Sequence, residues 1–223
     1  MTTAIVVFAL SGCGEVASRV RHTELVTTVG QAHVPRVGVF DEPGASKARM
    51  VLRNPDRSGA RLVFVVRNTD GAWLQVQLPL RPNGSLGWIA RGDVDLTQHN
   101  YRIAVDLTAH AITVWRGSTV VDFEAVGIGT RDTPTPGGSY YTTALVRPPD
   151  PKGFYGPYVY VLSGYSDVVR DYAGSNGVIG IHGTNEPWLI GHDVSHGCIR
   201  MSNAGITKLA RILPVGVPVD IHR

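Results

Sequence analysis

Residues 182–203 read HGTNEPWLIGHDVSHGCIRMSN, and they concentrate the chemistry of the chain. The stretch holds three of the eight histidines, His182, His192 and His196, and one of the two cysteines, Cys198. A thiolate is the reactive form of cysteine, and an unperturbed thiol of pKa ~8.5 is only a few per cent ionised at neutral pH. A neighbouring imidazole can deprotonate it or hold it as an ion pair, and each of the three histidines is a candidate. Gly197 removes a side chain directly before Cys198, so backbone N–H groups could face a developing oxyanion, as acyl transfer requires. Two other readings use the same residues. Cys198 could be a small buried hydrophobe, or it could join the three histidines around zinc. His192 and His196 would converge on a metal only at helical spacing, whereas Gly191, Asp193 and Gly197 argue for a loop. No metal or cofactor is therefore expected.

Outward from this stretch, the composition narrows the class. A chain of 223 residues implies one large or two modest domains. With 43% hydrophobic and 17% charged residues it is globular, and 26 Gly and 14 Pro supply many turns. The net charge of +3 is too small and too scattered for a nucleic-acid binder. Two cysteines, Cys13 and Cys198, exclude a disulfide-rich scaffold.

From Tyr101 onward the pattern is that of an antiparallel meander. Ile103, Val105 and Leu107 share one face, Ile112 and Val114 repeat the alternation after a turn, and Thr119 to Val126 follows Arg116-Gly117-Ser118. One helix is expected, capped by Ser202 or Asn203, with Ile206, Leu209, Ala210 and Leu213 as its apolar stripe and Pro214 and Gly216 as its stop. Val217, Val219 and Ile221 alternate as a last strand. Upstream, residues 33–97 break into short strands between turns such as Asn54-Pro55-Asp56 and Arg81-Pro82-Asn83-Gly84. Trp73-Leu74-Gln75-Val76 and Gly87-Trp88-Ile89 resemble a bacterial SH3-like domain, which implies a small β-barrel. The fold class expected is mainly β: an SH3-like barrel over 33–97, then a catalytic domain over 98–223.

The N-terminal residues 1–12 carry an apolar run from Ala4 to Leu10, too short to span a bilayer but suited to the core of a signal peptide. Leu10-Ser11-Gly12-Cys13 resembles a bacterial lipoprotein signal, which implies lipidation at Cys13, a membrane anchor and a location facing the cell wall. Residues 13–32 show no strong pattern and read as a linker.

Ser195-His196-Gly197-Cys198-Ile199-Arg200, with His182-Gly183-Thr184 upstream, resembles the active-site signature of the YkuD-type L,D-transpeptidases. Thr133-Pro134-Thr135-Pro136-Gly137, Gly156-Pro157, Leu162 to Ser166 and the stretch from Asn203 to Ile221 extend the likeness over most of the second half. The resemblance implies a YkuD-type β-sandwich and a peptidoglycan L,D-transpeptidase. Cys198 would attack the third residue of a donor stem peptide, release D-alanine, and pass the acyl group to an amine of an acceptor stem as a 3→3 cross-link. His182 would be base and then acid, oriented by the carbonyl of Gly183. The N–H groups of His196, Gly197 and Cys198 would form the oxyanion hole. His196, Arg200, Tyr158, Tyr160 and Trp188 are candidate substrate-binding residues, with Arg200 equally able to tie the loop to the sheet. His192 is expected to be structural, and Ser195 and Asn203 to brace the loop and the helix. The resemblance further implies acylation of the cysteine by carbapenems. The working unit is expected to be a monomer. An L,D-carboxypeptidase using water, or a non-catalytic wall-binding lipoprotein, are the alternative readings.

Overall fold

The structure, a computed structural model, describes residues 26–170 and 176–223. The signal-like segment and Cys13 lie outside the described residues. Seven strands build the first unit: β1 (Thr27–Ala32), β2 (Arg36–Val39), β3 (Met50–Arg53), β4 (Val63–Asp70), β5 (Trp73–Gln77), β6 (Leu86–Ala90) and β7 (Val94–His99). Five of them form an antiparallel sheet in the order β6-β5-β4-β1-β7, and β2 pairs with β3 as a ribbon. A bridge between Phe40 and Trp88 fastens the ribbon to the sheet, and Phe40 meets Trp73 edge-on at 4.9 Å. Val37, Val39, Phe64, Leu74, Val76 and Ile89 fill the space between them.

The linker expected over 13–32 is corrected at its end, because Thr27–Ala32 is β1, flanked by β4 and β7. Its burial does not alternate cleanly: Val29 packs with Val63, Val65 and Tyr141, while Ala32 belongs to the core of the first unit. A strand buried against two cores loses the period-two signature. The division expected between residues 97 and 98 likewise falls inside β7, which pairs with β1 as far as His99.

The second unit continues with β8 (Tyr101–Asp106), β9 (Ala111–Arg116), β10 (Thr119–Ala125), β11 (Ile128–Gly129), β12 (Gly138–Val146), β13 (Val159–Tyr165), β14 (Val178–His182), β15 (Asp193–Ser195), β16 (Ile199–Arg200), helix α1 (Asn203–Ile212) and β17 (Pro218–His222). The meander β8-β9-β10 is antiparallel, as its alternation implies. One eight-stranded sheet runs β10-β9-β8-β17-β12-β13-β14-β16, with parallel pairs at β17-β8 and β14-β16. Ser202 caps α1 by accepting from Gly205 N–H at 2.8 Å. Ile206, Leu209 and Leu213 of the helix region share one core with Ile103, Val114, Leu162 and Ile181, so residues from distant strands of the sheet enclose a single interior. The protein is mainly β with one α-helix among the described residues.

The two units are joined through Tyr141. Its hydroxyl lies 3.0 Å from both Val63 O and Gln77 O, its ring is fully buried, and burial pushes its pKa well above the usual phenol range. Gln77 Nε2 adds a bond to Ser139 O at 2.7 Å. Tyr141→Phe is expected to cost about 1–3 kcal/mol, since two buried carbonyls lose their donor. For a chain of this size that lowers Tm by roughly 3–10 °C; calorimetry showing an unchanged Tm would mean the contact is energetically idle.

Candidate active site

The site is built where β14 ends and β16 begins. Their parallel register sets Ile181 opposite Ile199 and His182 opposite Arg200, and Met201 N–H donates to His182 O at 2.9 Å. Cys198, one residue before β16, is thereby brought beside the Gly180 backbone. His182 is 1% exposed, and its Nδ1 lies 2.6 Å from Gly183 O. A carbonyl can only accept, so in the neutral ring Nδ1 carries the hydrogen and Nε2 keeps its lone pair. Nε2 has no hydrogen-bond partner among the described residues. Gly183 itself has no room for a side chain, because a Cβ there would collide with Asn203 Oδ1. That oxygen accepts from Thr184 N–H at 2.9 Å, so the first residue of α1 pins the turn that orients the imidazole.

The turn carrying Cys198 is held from within. Ser195 Oγ donates to Cys198 O at 2.6 Å and accepts from Gly197 N–H at 3.1 Å. Between them Gly197 sits at φ +113°, a conformation that side-chain-bearing residues rarely adopt. Ser195 O in turn accepts from Thr130 N–H at 3.1 Å and Thr133 Oγ1 at 3.0 Å, which ties the Thr-Pro-Thr-Pro-Gly segment to the turn. Of the three N–H groups expected to form an oxyanion hole, those of His196, Gly197 and Cys198, the one on Gly197 donates to Ser195 Oγ within the tight turn.

A cavity of about 310 Å³ opens on these residues. His182, Ser195, His196, Cys198 and Arg200 lie on its polar side, and Val146, Val159, Val161, Val178 and Ile179 on its apolar side. Phe154 and Tyr155 also line it, with ring centroids 5.8 and 5.0 Å from the His182 ring. Burial drives the His182 pKa down to about 4; the Gly183 bond opposes the shift, and the Arg200 charge adds to it. The partly exposed Cys198 thiol is pushed up by burial, against the Gly180 backbone and the Arg200 charge, which favour the thiolate. Burial thus favours the neutral form of both groups. Arg200, 4% exposed, bonds Glu186 Oε2 at 3.0 Å and stacks on Phe154 at 4.3 Å. It ties the loop and also faces the cavity.

Three expected substrate-binding residues lie elsewhere. Tyr160 is fully buried, and its hydroxyl serves Leu213 O at 2.9 Å and Leu209 O at 3.2 Å, so it satisfies carbonyls at the end of α1. Tyr158 packs against the core beneath Arg147, and Trp188, 69% exposed, sits in the short 3-10 helix Pro187–Leu189 and does not line the cavity. His192 is exposed and outside the cavity; its carbonyl accepts from Ile128 N–H. No cluster of three or more His, Cys, Asp or Glu side chains that could hold a metal occurs among the described residues. Sequence reasoning missed Phe154 and Tyr155; their signal is an adjacent aromatic pair inside Gly153 to Pro157, a turn-rich loop.

Comparison with known proteins adds the following. Residues 100–221 match the model of the YkuD family, described as the L,D-transpeptidase catalytic domain. YkuD of Bacillus subtilis (strain 168), named as an L,D-transpeptidase, is 37% identical over 123 residues, covering 55% of this chain and 66% of that protein. The B. subtilis protein YqjB, named likewise, is 31% identical over 122 residues, covering 53% and 69%. The chain thus spans just under two thirds of YkuD's own length. A solved L,D-transpeptidase from Mycobacterium smegmatis aligns over 84% of this chain and 99% of that one, at 19% identity and a TM-score of 0.44.

The raised thiol has a direct consequence. Alkylation of Cys198 by iodoacetamide, located by peptide mass spectrometry, is expected to accelerate continuously from about pH 6 to 9, following the rising thiolate fraction. A rate already at plateau below pH 7 would mean a preformed thiolate–imidazolium pair and would contradict the neutral resting state.

Proposed function

The chain belongs to the YkuD family of L,D-transpeptidase catalytic domains, and on that footing we propose that it transfers acyl groups between peptidoglycan stem peptides through Cys198. The observation that carries the reading is the His182 imidazole, whose hydrogen is fixed on Nδ1 by Gly183 O while Nε2, buried and unpartnered, lines the same cavity as the thiol.

In the proposed first step the Cys198 sulfur bonds to the carbonyl carbon of the third stem residue, and its proton passes to His182 Nε2. Because the imidazole starts as a weak base in a dry site, the proton moves as the C–S bond forms rather than beforehand. The negative charge that develops on the substrate oxygen would be met by backbone N–H groups of the His196–Cys198 turn. The C–N bond then breaks, His182 returns its proton to the leaving D-alanine amine, and a thioester remains. An amine from an acceptor stem attacks the thioester carbonyl, His182 takes the proton of that amine, the C–S bond breaks, and His182 passes the proton to the departing sulfur, which restores the Cys198 thiol. The product is a 3→3 cross-link. Water in place of the amine would make the same site an L,D-carboxypeptidase.

The first unit is proposed to be an SH3-like module, supported by its five-stranded antiparallel sheet, its paired ribbon and the Trp73 and Trp88 strands. Lipidation of Cys13, with the enzyme facing the cell wall, is proposed from the Leu10-Ser11-Gly12-Cys13 sequence.

The test is D-alanine release and cross-linked product from a tetrapeptide stem, which together report either acceptor. Cys198→Ala is expected to abolish both while keeping the wild-type Tm. His182→Ala is expected to lower kcat by about 10²–10⁴-fold, the usual worth of a positioned general base. The acid limb of kcat/KM is expected at about pH 4, where the His182 imidazole gains a proton and ceases to accept. Retained turnover in Cys198→Ala would overturn the assignment.

A further inference from the structure

The first unit reaches into the wall of the catalytic cavity. The connection between β13 and β14 is described at its two ends, residues 166–170 and 176–177, and Val169 and Gly177 of these ends line the cavity beside Val178 and Ile179. Three carbonyls of the connection converge on one guanidinium from the turn between β5 and β6. Arg81 Nη2 donates to Ser166 O at 2.8 Å and Val169 O at 3.4 Å, and Nη1 donates to Asn176 O at 3.2 Å.

The neighbouring contacts fix the same hinge. Asn83 makes a reciprocal pair with the Tyr165 backbone: its Nδ2 donates to Tyr165 O at 2.8 Å and its Oδ1 accepts from Tyr165 N–H at 3.0 Å. Tyr165 lies under the Arg81 guanidinium at 4.6 Å and donates its hydroxyl to Pro79 O at 3.0 Å. Ser166 carries the constraint further in two directions. Its N–H bonds Gly177 O at 2.8 Å, closing the base of the connection, and its Oγ accepts from Val169 N–H at 3.0 Å. Its side chain also borders the space beside Gly197, in the turn that holds Cys198.

We propose that Arg81 and Asn83 are positioning residues of the catalytic site, holding the two described ends of the β13–β14 connection where Val169 and Gly177 wall the cavity for the acyl donor. A carbonyl triplet cannot organise itself, because carbonyls repel one another and each needs a donor. One planar guanidinium with five N–H groups satisfies all three at fixed angles. The first unit is then part of the donor site rather than a spacer, and neither residue touches substrate. The inference rests on the proposed acyl transfer at Cys198.

The experiment uses the full chain and two variants, Arg81→Ala and Asn83→Ala, so that failure of one to fold leaves the other. KM for D-alanine release from the tetrapeptide stem is expected to rise about tenfold with kcat within about threefold, the pattern of a displaced binding wall. Iodoacetamide, which needs no cavity, is expected to alkylate Cys198 at the wild-type rate. KM unchanged in a folded variant overturns the inference. If the wild type releases no D-alanine, the acyl-transfer reading itself falls. The wall is then judged by the rate of Cys198 modification by N-phenylmaleimide relative to iodoacetamide. That ratio drops in the variants if Arg81 and Asn83 set the apolar wall, and stays at the wild-type value if they do not.

Discussion

The bond between His182 Nδ1 and the carbonyl of the residue that follows it is the constraint on which the site depends. It fixes the tautomer, and it holds only because the Gly183–Thr184 turn is clamped by Asn203 at the start of α1. The helix is fixed in turn by the Ser202 cap, whose hydroxyl also donates to Glu124 Oε2 on β10 at 2.9 Å. Tyr160 binds the carbonyls at the other end of the same helix. The helix thus does two things: its apolar stripe completes the core, and its first residues support the turn that orients the His182 imidazole.

Arg200 gives this arrangement its electrical character. A positive charge beside both reacting groups opposes an imidazolium at His182 and favours a thiolate at Cys198. Burial acts more strongly than the charge on both groups and favours the neutral form of each. The guanidinium itself is accommodated by Glu186 on one side and the Phe154 ring on the other. A site that starts neutral asks less of its desolvated surroundings than one that stores an ion pair, and the charge separation develops only as bonds change.

Local chemistry made much of this legible. The strands of the second unit follow their alternation, the helix follows its cap and stripe, and Ser195-His196-Gly197-Cys198 with His182-Gly183 marks the residues that converge on the cavity. The remainder depends on pairing between distant segments. Nothing local says that β17 inserts beside β8, or that β1 is a strand buried against two cores. Aromatics show the same limit: Tyr160, Phe154 and Tyr155 are alike in sequence as apolar rings near strands, and only the tertiary fold sends the first to the helix and the others to the imidazole. The bond from Gly197 N–H to Ser195 Oγ likewise depends on the folded turn and has no sequence signal of its own.

The central claim is that Cys198 is a nucleophile served by His182 inside an acyl-accepting cavity. Intact-protein mass spectrometry after incubation with a carbapenem tests it most directly, since opening the strained lactam by the thiol leaves a thioester of defined added mass. One adduct is expected on the wild type, none on Cys198→Ala, and slowed formation on His182→Ala. A folded wild-type protein with a free thiol and no adduct would contradict it.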